Sequence, residues 1–177
     1  VFSHILYDTL FFFGTDLYDS YADWLINTIK VACKNDSVDW IIKVHPSNIW
    51  RGELDSFLNG QYEEERLIQE EIGELPDHVR VVGADTKINP LSWFQLGDYC
   101  ITVRGTSGLE MATFGKMVIT AGTGRYDHNG FTLDSESVEE YESRLMDLGA
   151  LPELTKEETQ LAKLYAHALF VRKPFEM

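Results

Sequence analysis

Two short stretches hold most of the side chains that could do chemistry. Arg104-Gly105-Thr106-Ser107-Gly108-Leu109-Glu110 leads from a strand-like run into a helix-like one. Small residues there let backbone N–H groups come close to a ligand, and a helix start favours an anion. Thr106 and Ser107 can donate to phosphate oxygens, or simply cap the helix. Glu110, read into the first turn, can accept both hydroxyls of a ribose, or only offset the helix dipole. The second stretch is His45-Pro46, directly after an apolar run. The proline fixes the chain direction and holds the imidazole at the sheet edge, where it can donate to a phosphate or act in acid–base work. His45 is the one residue with a catalytic reading; the catalytic group is otherwise unassigned. His4 has a similar but weaker context, with a structural role equally open. Lys43 and Arg125 stand at other strand ends and Arg104 heads the glycine-rich stretch, so all three can face an anion.

Several chemistries are disfavoured by what the chain lacks. No Gly-Lys-Ser/Thr follows the glycine-rich stretch, so it is not a Walker loop, and no G-x-G-x-x-G is present. There is no G-x-S-x-G elbow for a nucleophilic hydrolase. No D-x-D pair occurs either, which favours an anion held by helix N-termini, Arg and His over one held through a metal. No metal and no separate cofactor is expected.

The elements that must position these residues alternate in type. Strands are expected at Val1–Leu6, Val38–Val44, Val79–Val82, Tyr99–Val103 and Met117–Thr120. Helices are expected over roughly 17–34, 53–72 (broken near Gly60), Pro90–Leu96, Ser107–Phe114, Ser135–Leu148 and Thr155–Phe170. In the last, Thr155 and Glu158 form a capping box, and Leu161, Leu164, Tyr165, Ala168 and Leu169 form an apolar stripe. The Glu63–Glu65 and Glu70–Glu71 clusters read as a solvated helix face. Five strands alternating with helices call for an α/β fold: a Rossmann-like open parallel sheet with helices on both faces. Ligands bind such sheets beyond the carboxyl ends of the strands, where His4, Lys43, His45 and the glycine-rich stretch fall.

With 177 residues the chain suits a single domain, spanning 1–177 and ending in the 155–170 helix. It carries 15 Lys+Arg against 29 Asp+Glu, a formal charge of −14, which argues against nucleic acid or an anionic membrane surface as the main partner. Cys33 and Cys100 read as buried free thiols in a cytoplasmic setting. No apolar run reaches the ~18 residues a membrane span needs. A strand-like start without Met suggests a fragment of a longer protein.

The run Gly105-Thr106-Ser107-Gly108-Leu109-Glu110-Met111-Ala112-Thr113-Phe114-Gly115-Lys116-Met117-Val118-Ile119 resembles the nucleotide-sugar segment of GT-B glycosyltransferases, with Met117 where Pro is usual. Together with Trp40-Ile41-Ile42-Lys43-Val44-His45-Pro46, Ser3-His4 and Asp23-Trp24-Leu25, it is similar to the capsule polysaccharide biosynthesis family, over roughly residues 1–148. That family includes bacterial transferases of 3-deoxy-manno-octulosonic acid (Kdo) that use CMP-Kdo. The resemblance implies the C-terminal, donor-binding half of a two-domain GT-B enzyme. It puts His45 on the donor phosphate, Thr106 and Ser107 beside it, and Glu110 at the ribose. The glycan or glycolipid acceptor would bind a missing N-terminal half, and the full-length protein could sit peripherally at the inner membrane. A UDP-sugar 2-epimerase-like half and a degenerate scaffold domain are the competing readings.

Overall fold

The computed structural model describes residues 1–6, 16–48 and 62–172. Short runs rich in β-branched and aromatic residues form the strands β1 (Trp40–Lys43), β2 (Val79–Val82), β3 (Tyr99–Thr102) and β4 (Met117–Thr120), and a two-residue strand, β5 (Leu133–Asp134), follows them. Between and around them lie the helices α1 (Tyr21–Ala32), α2 (Glu63–Glu71), α3 (Pro90–Leu96), α4 (Thr106–Thr113), α5 (Val138–Met146) and α6 (Lys156–His167). A π-helical turn, Ala168–Arg172, follows α6.

β1 pairs with β2, and β3 with β4 and β4 with β5, all in parallel. Residues 1–3 join the two groups. Phe2 bridges Lys43 in parallel, Ser3 N–H donates to Lys43 O, Lys43 N–H donates to Val1 O, and on the other side Phe2 N–H donates to Ile101 O. Counting residues 1–3 as the first strand, the spatial order is 3-2-1-4-5-6, the doubly wound order whose direction reverses between the first and fourth members. That switch point lies between residues 1–3 and β3.

Strand alternation divides the core. Trp40, Ile42, Ile101, Val103, Ile119 and Ala121 pack on α1 and α5. Phe2, Ile41, Cys100 and Val118 pack on α3, α4 and α6 through Trp93, Phe94, Leu109, Met111 and Ala162. Ser20 caps α1 by accepting from Asp23 N–H, and α1 turns Trp24, Leu25, Thr28, Ile29 and Ala32 inward. The Trp24 indole N–H donates to the Tyr141 hydroxyl of α5 at 2.9 Å, and Thr28 Oγ1 lies 2.8 Å from the same oxygen.

The alternating α/β order holds, with differences that have physical causes. The first strand is a single bridge at Phe2 and not a run over Val1–Leu6, because only residues 1–3 lie between β1 and β3. A sixth short strand, β5, lies between the Met117–Thr120 strand and the Ser135–Leu148 helix, where no element is expected; Asp134 is held there by accepting from Thr120 Oγ1 at 2.7 Å. The helix expected over 17–34 starts only at Tyr21, since Leu17 N–H donates to Ala121 O beyond β4. The region 53–61, with the break near Gly60, lies outside the described residues. Glu64 within the acidic cluster is fully buried, so that cluster is not wholly a solvated face. The capping box at Thr155 and Glu158 is present. The apolar stripe of α6, however, is rotated: Ala162, Tyr165, Ala166 and Leu169 pack inward, while Leu161 and Leu164 are 43% and 58% exposed. Cys100 is buried and Cys33 half-buried, both as free thiols.

Glycine at position 108 is a packing requirement. A Cβ there would stand 2.2 Å from the Tyr126 hydroxyl, which itself donates to Gly105 O at 2.5 Å. Gly108→Ala therefore costs about 1–3 kcal/mol by overpacking. Combined with Tyr126→Phe it should be partly relieved, and a double-mutant cycle with additive energies would refute the contact. Tyr141→Phe strips a buried acceptor from Trp24 and a partner from Thr28. It is expected to lose about 1–3 kcal/mol, read as a lower urea midpoint at unchanged slope.

Candidate functional site

The switch point is built around His4, which follows residues 1–3. Its Nε2 lies 3.1 Å from Val103 N and 2.9 Å from Thr102 Oγ1. An amide N–H can only donate, so Nε2 is the acceptor and the neutral ring carries its proton on Nδ1. The ring stacks on Tyr21 at 4.3 Å and meets Trp24 edge-on at 5.5 Å. Burial, then the nearby His45 and Arg104, push its pKa down to about 3. His4 is thus a neutral strut between the end of residues 1–3 and the end of β3.

The start of α4 follows from the same knot. Thr102 Oγ1 accepts from Gly105 N–H at 3.1 Å, and Gly105 is the N-cap, without any side-chain cap. Thr106 and Ser107 are therefore not capping residues; they are the first two residues of the helix itself. Since α4 starts at Thr106, one residue before the expected Ser107, Glu110 is its fifth residue and falls just beyond the first turn. One turn apart, Thr106 and Glu110 share a side-chain hydrogen bond, while burial raises the Glu110 carboxyl above its ordinary value. Ser107 hydrogen-bonds toward the buried Cys100. A Cβ at Gly105 would lie 3.3 Å from Ser107 Oγ and 3.6 Å from His4 Cε1, so the imidazole lies against the beginning of α4.

His45 heads a turn closed by Asn48 N–H donating to His45 O at 3.0 Å. Its own N–H donates to Ser3 Oγ at 2.8 Å, and its Nδ1 accepts from Ser47 N–H at 3.1 Å. The neutral ring then carries its proton on Nε2. Pro46 is exposed at the tip of this turn. Ser3 and His4 place the turn beside the switch point, and the contacts run from His45 through Ser3, His4 and Gly105 to Thr106 and Glu110.

The cations are more committed than their positions suggest. Lys43 Nζ donates to Val44 O at 2.7 Å and Gly83 O at 3.3 Å, and burial lowers its pKa. It also borders a cavity of about 540 Å³ under Trp93 and Leu96. Arg104 is ion-paired with Asp16, and both side chains are largely buried. Asp127, which accepts from Gly124 N–H at 2.6 Å, lies near the same guanidinium. Gly124 packs against Arg104, where a Cβ would come within 2.9 Å of Arg104 Cβ. Arg125 is exposed on the loop after β4, and its carbonyl accepts from the Tyr165 hydroxyl. The residues that sequence reasoning missed are Asp16, Asn48 and Glu64. Their partners lie far along the chain, and no local spacing announces them.

Among the described residues no group of three His, Cys, Asp or Glu is placed to hold a metal ion. No helix among them is long and apolar enough to cross a membrane.

Comparison with known proteins adds a family. No curated protein matches the chain. Among solved structures it is similar to the Thermosulfurimonas dismutans protein KpsC, a beta Kdo 2,4 transferase, at 19% identity and a TM-score of 0.46. The match covers 88% of this chain and 45% of that one, so this chain spans less than half that protein's length. The family described as "Capsule polysaccharide biosynthesis protein" matches residues 13–167. With that match extending over most of its length, the chain belongs to the capsule polysaccharide biosynthesis family.

Proposed function

We propose that this chain is the donor-binding part of a glycosyltransferase that takes a sugar from a nucleotide, CMP-Kdo being the first candidate, into a surface polysaccharide. One observation carries the reading. The His45 turn and the glycine-capped start of α4 meet at the sheet's switch point, joined by the His4 strut. Membership of the family supports it. The α4 start has no side-chain cap, so its first-turn N–H groups suit an anion. His45, with its proton on Nε2, adds a donor for the phosphate that leaves when the bond to the sugar breaks. Glu110 accepts from the ribose hydroxyls. Arg104 acts mainly as the partner of Asp16 and lends only residual field to the phosphate. The acceptor and the catalytic base belong to a part of the protein beyond this sequence, on the cytoplasmic side of the membrane, so this chain alone binds nucleotide without transferring sugar.

Calorimetry with CMP, UDP and GDP tests the reading. Millimolar binding of at least one nucleotide is expected. A lost hydrogen bond to a charged group is worth about 1.5–3 kcal/mol, so His45→Ala and Glu110→Ala should each weaken binding by about tenfold or more. Ribose recognition needs the ionised carboxylate. Affinity should therefore fall on acidification through the Glu110 pKa, which burial places above 4.5. Glu110→Gln should remove that dependence. If none of the three nucleotides binds at millimolar concentration, the proposal fails.

A further inference from the structure

Helix α2 carries Glu63, Glu64 and Glu65 in its first turn, yet Glu64 is 0% exposed. Its Oε1 accepts from Ser3 Oγ at 3.0 Å and from Asn48 Nδ2 at 2.5 Å. Ser3 Oγ is also the acceptor for His45 N–H, and Asn48 closes the His45 turn. One carboxyl thus ties α2, residues 1–3 and the His45 turn together. Glu64 Oε2 and Asn48 Oδ1 are buried as well, and among the described residues neither meets a hydrogen-bond donor. Two bare acceptors, on groups already bonded through their other atoms, lack a single hydrogen. Nδ2–H already donates to Oε1, and a proton on Oε2 would turn that bare acceptor into a donor for which the bare Asn48 Oδ1 is the available acceptor.

We propose that Glu64 is held protonated at neutral pH, and that this acid–amide pair with Asn48 is the positioning clasp of the His45 turn. The surrounding charges fit. Lys43 on β1 favours the ionised form, but its ammonium is hydrogen-bonded to Val44 O and Gly83 O. Glu63 on the same helix opposes ionisation, and burial, the largest influence, raises the Glu64 pKa. Its own backbone N–H, then the Ser3 and Asn48 hydrogen bonds, pull the other way, and each is smaller than the effect of burial. The His45 turn packs on the clasp through Asn48, and His4 follows Ser3 as a neutral ring. The protonation is a property of the fold and stands whether or not a nucleotide binds; only its service to the donor phosphate rests on the function proposed above.

Glu64→Gln is the test, because glutamine copies the protonated acid: it accepts through Oε1 and donates to Asn48 Oδ1 through its NH₂. Urea unfolding of wild type and E64Q is compared between pH 4 and 8. A folded-state pKa above the ordinary 4.5 means that the folded state binds more protons. The contribution of Glu64 is then complete below pH 4.5 and declines as pH rises toward the folded-state pKa. The ratio of wild-type to E64Q folding constants should fall across that window, by up to about tenfold per pH unit. Protonation at neutral pH requires the fall to continue past pH 7, so a ratio that levels off below pH 7, stays constant or rises overturns the proposal, and so does an E64Q chain that cannot fold. Nitrogen NMR of the imidazoles reads the positioning. E64Q keeps the His45 signal with Nδ1 unprotonated, whereas Ser3→Ala, which removes the link to His45 N–H, perturbs it. An unperturbed His45 in Ser3→Ala refutes the clasp. A wild type that binds no nucleotide yet shows the expected pH dependence defeats the donor reading and leaves the proton in place.

Discussion

Residues 1–3 hydrogen-bond to β1 on one side and to β3 on the other, and both the strand order and the candidate site follow from that placement. Without this segment the protein would have two separate parallel groups, each with an open edge. With it, the order in which successive parallel strands are added reverses about one point, and the two residues that leave the point are polar. Ser3 receives His45 N–H, and His4 receives Val103 N–H. The segment that completes the sheet therefore also fixes the two loops on either side of the switch crevice.

The His4 ring shows how a titratable residue becomes structural. It is held between Tyr21 and Trp24 and accepts hydrogen bonds at the one nitrogen that faces the sheet. Protonation there would place two donors against each other, Val103 N–H and Nε2–H, in a buried site. Burial, with the charges of His45 and Arg104, depresses its pKa, and the hydrogen-bond geometry acts in the same sense. His45 differs because the bond it accepts comes from its own turn, at Nδ1, which leaves the proton on the other nitrogen. Two histidines at strand ends thus take opposite tautomers, set by which neighbouring amide reaches them.

Much of this was legible in the sequence because the signals are local. Pro at the start of α3 and the Thr155–Glu158 box of α6 lie within one turn of the features they announce. β4 stands out as an apolar run behind a glycine. The glycine-rich stretch was recognisable, but its chemistry divided in a way that spacing does not reveal. Gly105 caps the helix, while Gly108 serves a tyrosine 18 positions later. Glu64 was hidden among glutamates of identical type. Its burial depends on Ser3 and Asn48, and a helix periodicity with a single apolar stripe assigns it to water. Leu161 and Leu164 misled for a similar reason, since the rotation of α6 is set by the small Ala162 fitting against α4 and by the contact of Tyr165 with Phe131. Hydrophobicity alone ranks leucine above alanine and cannot find that face.

The charge balance of the rim constrains how it could hold an anion. The chain carries −14 overall, Arg104 is matched by Asp16, and His4 is neutral. With Lys43 also hydrogen-bonded to Val44 O and Gly83 O, much of the attraction then falls to N–H groups, whose field falls off within about a turn of a helix end. Short-range attraction works only if the groups are held in place, and the Glu64–Ser3–Asn48 clasp provides that hold for the His45 turn. A carboxylate would do this at a cost. A like charge near the bound phosphate repels it, the more so where the intervening medium is protein and not water. A protonated carboxyl holds the turn with the same oxygen and none of that repulsion, so in the proposed site the neutral form serves the fold and the ligand at once.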